Sequence, residues 1–340
     1  MNLIQRIDHW AAAAPEAIAH LSGERTLTYG ELRRRSDRLA SYLIKRFGDD
    51  RRPIAVLGHR EPEMLIAFLG VVKSGRPYVP IDTALPQTRI NQILASSHAA
   101  LSLTPDQIRQ FSAGELRGPM TLVEKKDAFY ILFTSGSTGE PKGVIITVAC
   151  LEHFISWMLA EQHFSERAEV FLNQAPFSFD LSVLDLYCSL VTGGTLFSIS
   201  RDLIENPKKL YRALAGSGVT TWVSTPSFAQ MCLVEDKFAE AMLPRVRRFL
   251  FCGETLAPQT AAQLLARFPQ AQVWNMYGPT EATVATTSLQ IDTGILEKYS
   301  RLPVGRVMPG TRIIIVDENG AELSANERGE IIIAGPNVSN

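Results

Sequence analysis

Phe129 to Thr134 is an unbroken apolar, β-prone run that gives way to Ser135-Gly136-Ser137-Thr138-Gly139, followed by Pro141-Lys142-Gly143. Such a run belongs in a buried strand, so the polar loop must sit where that strand leaves the core. Glycines let a backbone approach an anion, free N–H groups and hydroxyls donate to it, and a lysine adds charge. The spacing is not that of a Walker A loop, because Pro141 stands where that motif needs its second glycine. A surface turn could share this composition. The strand in front and the Lys-Gly ending favour phosphate binding.

Short apolar runs alternate with helical patterns through most of the chain. Leu3, Ile4, Ile7 and Trp10 fall at helical spacing with polar residues between them, which is an amphipathic helix and not an export signal. Thr28-Tyr-Gly-Glu31 reads as a capping box opening a helix to about Ile44. Strands are expected at 54–57, 78–82, 101–103, 170–173, 195–199, 220–224, 249–252 and 273–276. Helices are expected at 62–73, 86–95, 151–159, 183–190, 207–215, 226–233 and 258–268. Residues 104–125 carry the weakest pattern and read as a surface connection. The alternation implies an α/β fold of doubly wound, mostly parallel sheets covered on both faces. A chain of 340 residues exceeds what one core usually serves, so more than one subdomain is expected.

After about residue 285 the pattern changes. Ile313–Val316, the turn Asp317-Glu-Asn-Gly320 and Glu330–Ala334 read as antiparallel strands, the start of a small β-barrel subdomain. The expected division is 1–285 for the α/β subdomains and 286–340 for an incomplete β subdomain.

Composition excludes several classes. A net charge of −1 gives no nucleic-acid footprint. Cys150, Cys188, Cys232 and Cys252 lack metal-ligand spacing and suggest reduced thiols in a cytoplasmic protein. The six histidines form no His-x-x-x-His pattern, so zinc is not expected. No apolar run reaches membrane-spanning length, so no membrane insertion is expected.

Thr134, Asp180, Cys252, Asn275, Thr280 and Glu281 all fall at or just past the C-terminal ends of expected strands. Open α/β sheets bind ligands at that edge, so these residues outline one cleft. Asp180 reads either as a helix N-cap or as a carboxylate for a substrate ammonium. Glu281 reads either as a solvated helix start or as a ligand for Mg²⁺. Cys252 reads as a passive wall, since no neighbouring histidine would activate it.

The motif Thr134-Ser-Gly-Ser-Thr-Gly-x-Pro-Lys-Gly143 resembles the signature of the adenylate-forming superfamily of AMP-binding enzymes. Thr28-Tyr-Gly-Glu-Leu32, Tyr78-Val-Pro-Ile-Asp82, Asn275-Met276-Tyr277-Gly278-Pro279-Thr280-Glu281 and Gly329-Glu-Ile-Ile-Ile333 are similar to its other motifs, in the same order. Phe171 to Tyr187, Ser224-Thr-Pro-Ser-Phe228 and Phe249-Leu-Phe-Cys-Gly-Glu254 resemble the D-alanine–carrier protein ligases within it. The resemblance implies a ligase that uses ATP with Mg²⁺ to make D-alanyl-AMP. That family passes the D-alanyl group to the phosphopantetheine thiol of a D-alanyl carrier protein, for D-alanylation of teichoic acids.

By the same resemblance, Thr134, Ser135, Gly136, Ser137, Thr138, Gly139 and Lys142 would meet the ATP phosphates. Asn275, Met276, Tyr277, Gly278, Pro279 and Thr280 would line the adenosine and α-phosphate site. Asp180 would take the D-alanine ammonium, and Cys252 with Val284 would shape the pocket for its methyl. Lys142 and Glu281 would be catalytic, with Glu281 also the metal ligand. The family's small C-terminal domain, with its catalytic lysine, is not in these residues, so weak adenylation is expected of them alone. The competing readings are a peptide-synthetase adenylation domain for another small amino acid, and a nucleotide-binding scaffold without catalysis.

Overall fold

A computed structural model of the chain describes residues 1–115, 120–121, 123–135 and 140–339, with only the backbone of Ser135. Among these residues the strands are β1 (Ile18–Ser22), β2 (Arg25–Thr28), β3 (Ile54–Gly58), β4 (Tyr78–Asp82), β5 (Leu101–Leu103), β6 (Ala128–Ser135), β7 (Pro141–Thr147), β8 (Val170–Asn173), β9 (Thr195–Ser198), β10 (Thr221–Ser224), β11 (Arg248–Phe251), β12 (Gln272–Tyr277), β13 (Thr287–Ile291), β14 (Arg306–Val307), β15 (Arg312–Val316) and β16 (Glu330–Ala334).

They form a nine-stranded sheet in the order β14-β13-β12-β11-β10-β8-β9-β1-β2 and a five-stranded sheet in the order β5-β3-β4-β6-β7. From β1 to β12 the larger sheet is parallel, and β2, β13 and β14 are antiparallel additions at its edges. The smaller sheet is parallel except for β7, which turns back antiparallel along β6. Parallel sheets need cover on both faces. Two helices supply much of it: every residue of Pro62–Lys73 and of Leu181–Thr192 is buried. A helix that is apolar nearly all round suits such a site and no other in a soluble core.

The two sheets share a core between these helices. The Tyr78 hydroxyl of the smaller sheet lies 2.7 Å from that of Tyr187 in helix Leu181–Thr192. The Phe68 ring stacks on Tyr78 and meets Phe177 edge-on. Each such ring, fully buried, contributes roughly 1.5–3 kcal/mol by leaving water.

The amphipathic first helix runs Leu3–Ala13, and the expected capping box at Thr28 and Glu31 opens helix Tyr29–Phe47. The weakly patterned stretch contains a helix, Pro105–Phe111, with its own capping box from Thr104 and Gln107. The hairpin β1–β2, turning at Gly23 with φ 60°, was not expected from the sequence. Beyond residue 285, β13 and β14 still belong to the nine-stranded sheet. The separate antiparallel ladder is β15 with β16 alone, paired from Arg312–Ala334 to Val316–Glu330, and it is not a closed barrel.

Candidate active site

The polar loop of the sequence motif sits on the β6–β7 hairpin, whose ladder runs through Thr134–Lys142 to Ser135–Pro141. Gly136, Ser137, Thr138, Gly139 and the Ser135 side chain lie outside the described residues. Lys142 is exposed on β7, directly across the ladder from Thr134.

Two cavities flank the turn that follows β12. The first, of about 330 Å³, is lined by Thr134, Asp180 and Thr280 together with Arg89, Ser178 and Phe179. The second, of about 410 Å³, is lined by Asn275, Met276, Tyr277 and Gly278, with Glu254 and Ile331 among its other walls. Pro279 and Glu281 belong to the same turn, and Glu281 lies in the short 3-10 segment Thr280–Ala282. Thus Thr134, Asp180 and the Asn275–Thr280 stretch, three separate segments of the sequence, line two neighbouring cavities.

The Asp180 carboxylate does not cap helix Leu181–Thr192. Its backbone is already helical at φ −64° and ψ −27°, and its side chain makes no capping bond. The Ser182 and Val183 N–H groups donate instead to the carbonyls of Phe179 and Asp180, at 3.1 and 2.9 Å. Burial pushes the Asp180 carboxyl up to about 6. Thr280 and the Leu181 N–H oppose that rise, and the Glu281 charge reinforces it. Without a cation beside it, this carboxylate resists ionisation, which suits a pocket awaiting an ammonium.

Cys252 and Val284 are both nearly inaccessible, and the thiol lies 3.5 Å from the Val284 carbonyl. Neither is among the residues lining the two cavities; they form a layer behind them. Burial, aided by the Asp180 charge, pushes the Cys252 thiol up to about 12. It is therefore a neutral wall and not a nucleophile. The Asn275 amide is turned to structure, donating to the Pro303 carbonyl at 2.9 Å.

Two of the sequence motifs meet at Glu254, whose carboxylate accepts from the Ser227 N–H and hydroxyl, both at 3.0 Å. Among the described residues no three His, Cys, Asp or Glu side chains cluster. Glu281 is thus not part of a preformed group of three such side chains among the described residues. Mg²⁺ commonly takes one or two carboxylates and completes its shell with phosphate oxygens and water. The donor set fits a metal that arrives with a nucleotide, not one caged by protein.

Arg89 and Ser178 were missed in the sequence. Arg89 lies in helix Gln87–Ser97 and donates to the Thr134 carbonyl at 3.1 Å. Its helix follows β4 and so shares the address of the other site residues, a signal that was available. Ser178 lines the first cavity with a buried hydroxyl that has no hydrogen-bond partner among the described residues. Nothing in its neighbours marked it out. His20, in contrast, is a buried structural histidine on Ser198, held neutral by burial.

The AMP-binding enzyme family matches residues 7–125 and 110–340. The D-alanine–D-alanyl carrier protein ligase of Bacillus cereus (strain B4264) is 44% identical over 357 residues, covering all of this chain and 71% of that protein. The ligase of the same name from Bacillus anthracis is 44% identical over 356 residues, with the same coverage. Among solved structures, the nonribosomal peptide synthetase FmoA3 superposes with a TM-score of 0.88 at 24% identity, over all of this chain and 38% of that one. The Klebsiella oxytoca NpsA N-terminal subdomain, in complex with 3-hydroxyanthranilyl-AMSN, gives 0.84 at 23% identity, over 99% of this chain and 88% of that one. At these identities the two structures establish the fold alone. The chain belongs to the AMP-binding enzyme family, and within it to the group of D-alanine–D-alanyl carrier protein ligases.

Proposed function

We propose that this chain binds ATP and D-alanine and supports formation of D-alanyl-AMP, with transfer of the D-alanyl group to the phosphopantetheine thiol of a carrier protein. The carrying observation is the meeting of Thr134, Asp180 and Thr280 in one cavity beside the Asn275–Gly278 cavity, in a chain so similar to these ligases.

A substrate carboxylate, with a pKa of roughly 3.5, is already ionised at neutral pH, so no general base is needed. Its oxygen attacks the α-phosphorus of ATP, the bond to the bridging oxygen breaks, and pyrophosphate leaves. The thiolate then attacks the acyl carbon, and AMP leaves. Alignment and charge neutralisation carry most of the rate in such transfers. Asp180 holds the ammonium and so orients the carboxylate. Thr134 and Thr280 offer hydroxyls to phosphate oxygens, and Arg89 and Lys142 add positive charge. Tyr277 and Gly278 present the floor for the nucleoside. Glu281 is the residue that would hold Mg²⁺ arriving with the nucleotide, and the ion would supply Lewis-acid neutralisation of phosphate charge.

A thermal-shift series with non-hydrolysable aminoacyl-adenylate mimics tests this reading, since ligands that bind only the folded state raise its melting temperature. The D-alanyl mimic should give the largest shift. A larger shift from the mimic of a bulkier amino acid would contradict the reading.

A further inference from the structure

Thr283 and Val284 are consecutive non-glycine residues with left-handed backbone, φ 56° and 67°. Both are β-branched, for which this region is an outlier. The Ala285 N–H donates back to the Thr283 carbonyl at 2.8 Å, which makes Val284 the centre of a γ-turn of the rare, strained hand. Strain of this kind persists only where the surroundings over-determine it.

One side chain supplies much of that constraint. Asn337 is fully buried in the segment after β16. Its amide nitrogen donates to the Ala282 carbonyl at 2.9 Å and to the Thr286 hydroxyl at 3.2 Å, the two flanks of the strained turn. Its backbone carbonyl accepts from the Thr283 hydroxyl at 2.7 Å. The Thr311 hydroxyl donates to its amide oxygen at 2.6 Å, fixing which end of the carboxamide faces the turn. The Ser339 N–H adds a bond to the Glu281 carbonyl at 2.7 Å. The segment 336–339 is thus a strap across the Glu281–Thr286 loop.

The strained turn places the Val284 carbonyl against the Cys252 thiol, in the layer behind the two cavities. We propose that Asn337 is a positioning residue for amino-acid selection: it holds the strained Thr283–Val284 turn, and through it the wall that fits a methyl side chain. The inference rests on the reading of Asp180 as ammonium partner and of Cys252 and Val284 as the methyl pocket. Asn337 is not among the residues that line either cavity, so it acts through the turn it holds. Without it, Ala282 and Thr286 lose partners, the turn relaxes toward ordinary backbone, and the wall recedes.

Calorimetric titration of the chain with D-alanyl- and D-2-aminobutyryl-adenylate mimics and with AMP tests this. Wild type should favour the D-alanyl mimic by about 10-fold or more, the discrimination one methylene allows. Asn337→Ala should reduce the preference to about twofold while AMP affinity changes by less than about twofold. Adding Thr283→Gly, which accepts positive φ without strain, should restore part of the preference. Should Asn337→Ala not fold, Thr311→Val, which frees only the amide oxygen, should show a smaller loss in the same direction. A merely structural role lowers the melting temperature and leaves the preference intact, and that result in a folded variant overturns the inference. A wild type indifferent to the amino-acid part overturns the substrate reading and the inference with it.

Discussion

Thr280 and Asp180, distant in sequence, line the same cavity, and Thr280 favours the ionised form of the Asp180 carboxyl. Thr280 ends the turn after β12 and Asp180 opens helix Leu181–Thr192, so the cavity joins these two segments. Thr280 thereby opposes the rise that burial imposes on the carboxyl, which stands at about 6.

An ammonium needs an ionised partner, so binding should follow the Asp180 titration. Affinity for a D-alanyl-adenylate mimic should hold at neutral pH and weaken below about pH 6, approaching tenfold per pH unit. Adenosine, which has no group titrating in this range, should keep a level affinity, and Asp180→Asn should flatten the aminoacyl profile. Calorimetry at a series of pH values reads all three. A mimic whose affinity is level from pH 7 to pH 5 would contradict the role given to Asp180.

The same carboxyl makes a stability prediction. Its folded pKa of about 6 lies above the ordinary 3.8, so the folded state loses stability as pH rises between those values. Asp180→Asn should therefore stabilise the empty protein at neutral pH, by on the order of 3 kcal/mol, and be near neutral at pH 3.5. Urea unfolding at the two pH values measures the difference. A variant less stable than wild type at pH 7 would show that the carboxylate is needed by the fold.

Arg89 donates to the Thr134 carbonyl at the base of the hairpin and lines the cavity. Arg89→Met should weaken ATP by on the order of 2 kcal/mol, about thirtyfold, the scale of one charge-assisted hydrogen bond. AMP, lacking the outer phosphates, should be affected far less. Equal losses for the two nucleotides would place Arg89 among structural residues instead.

All four cysteines are free and buried, and burial pushes the thiols of Cys232 and Cys252 up to about 12. Alkylation of the folded protein near pH 8 should be negligible at both and complete after unfolding, since the thiolate is the reactive form. Mass spectrometry after brief iodoacetamide treatment shows which residues react. Rapid labelling of Cys252 would mean that the wall behind the cavity opens.

Much of the fold could be read from local chemistry. Helix Pro62–Lys73 begins at a proline and ends before Ser74-Gly75, and the structure keeps those bounds. The hairpin β1–β2 was not legible, because His20, Ser22, Arg25 and Thr26 break the apolar pattern of such short strands. Helix Pro105–Phe111 was signalled by Thr104 and Gln107 but lay in a stretch with little apolar periodicity. Asp180 and Thr280 follow β8 and β12 of the larger sheet and Thr134 ends β6 of the smaller one, and each parallel sheet gathers its C-terminal strand ends at one edge. Asn337 escaped, since its partners Ala282, Thr283, Thr286 and Thr311 are distant in sequence and only the folded chain brings them together.

On the proposed reading, Asp180 receives the ammonium of D-alanine. The most direct measurement is calorimetric titration with non-hydrolysable D-alanyl- and L-alanyl-adenylate mimics, on wild type and on Asp180→Ala. The account predicts tighter binding of the D form, by about 10–200-fold where one methyl contact differs. It also predicts a loss of roughly 3–5 kcal/mol in the variant, as for a desolvated ion pair stripped of one partner. Equal binding of the two forms, or a variant that binds as wild type does, would contradict it.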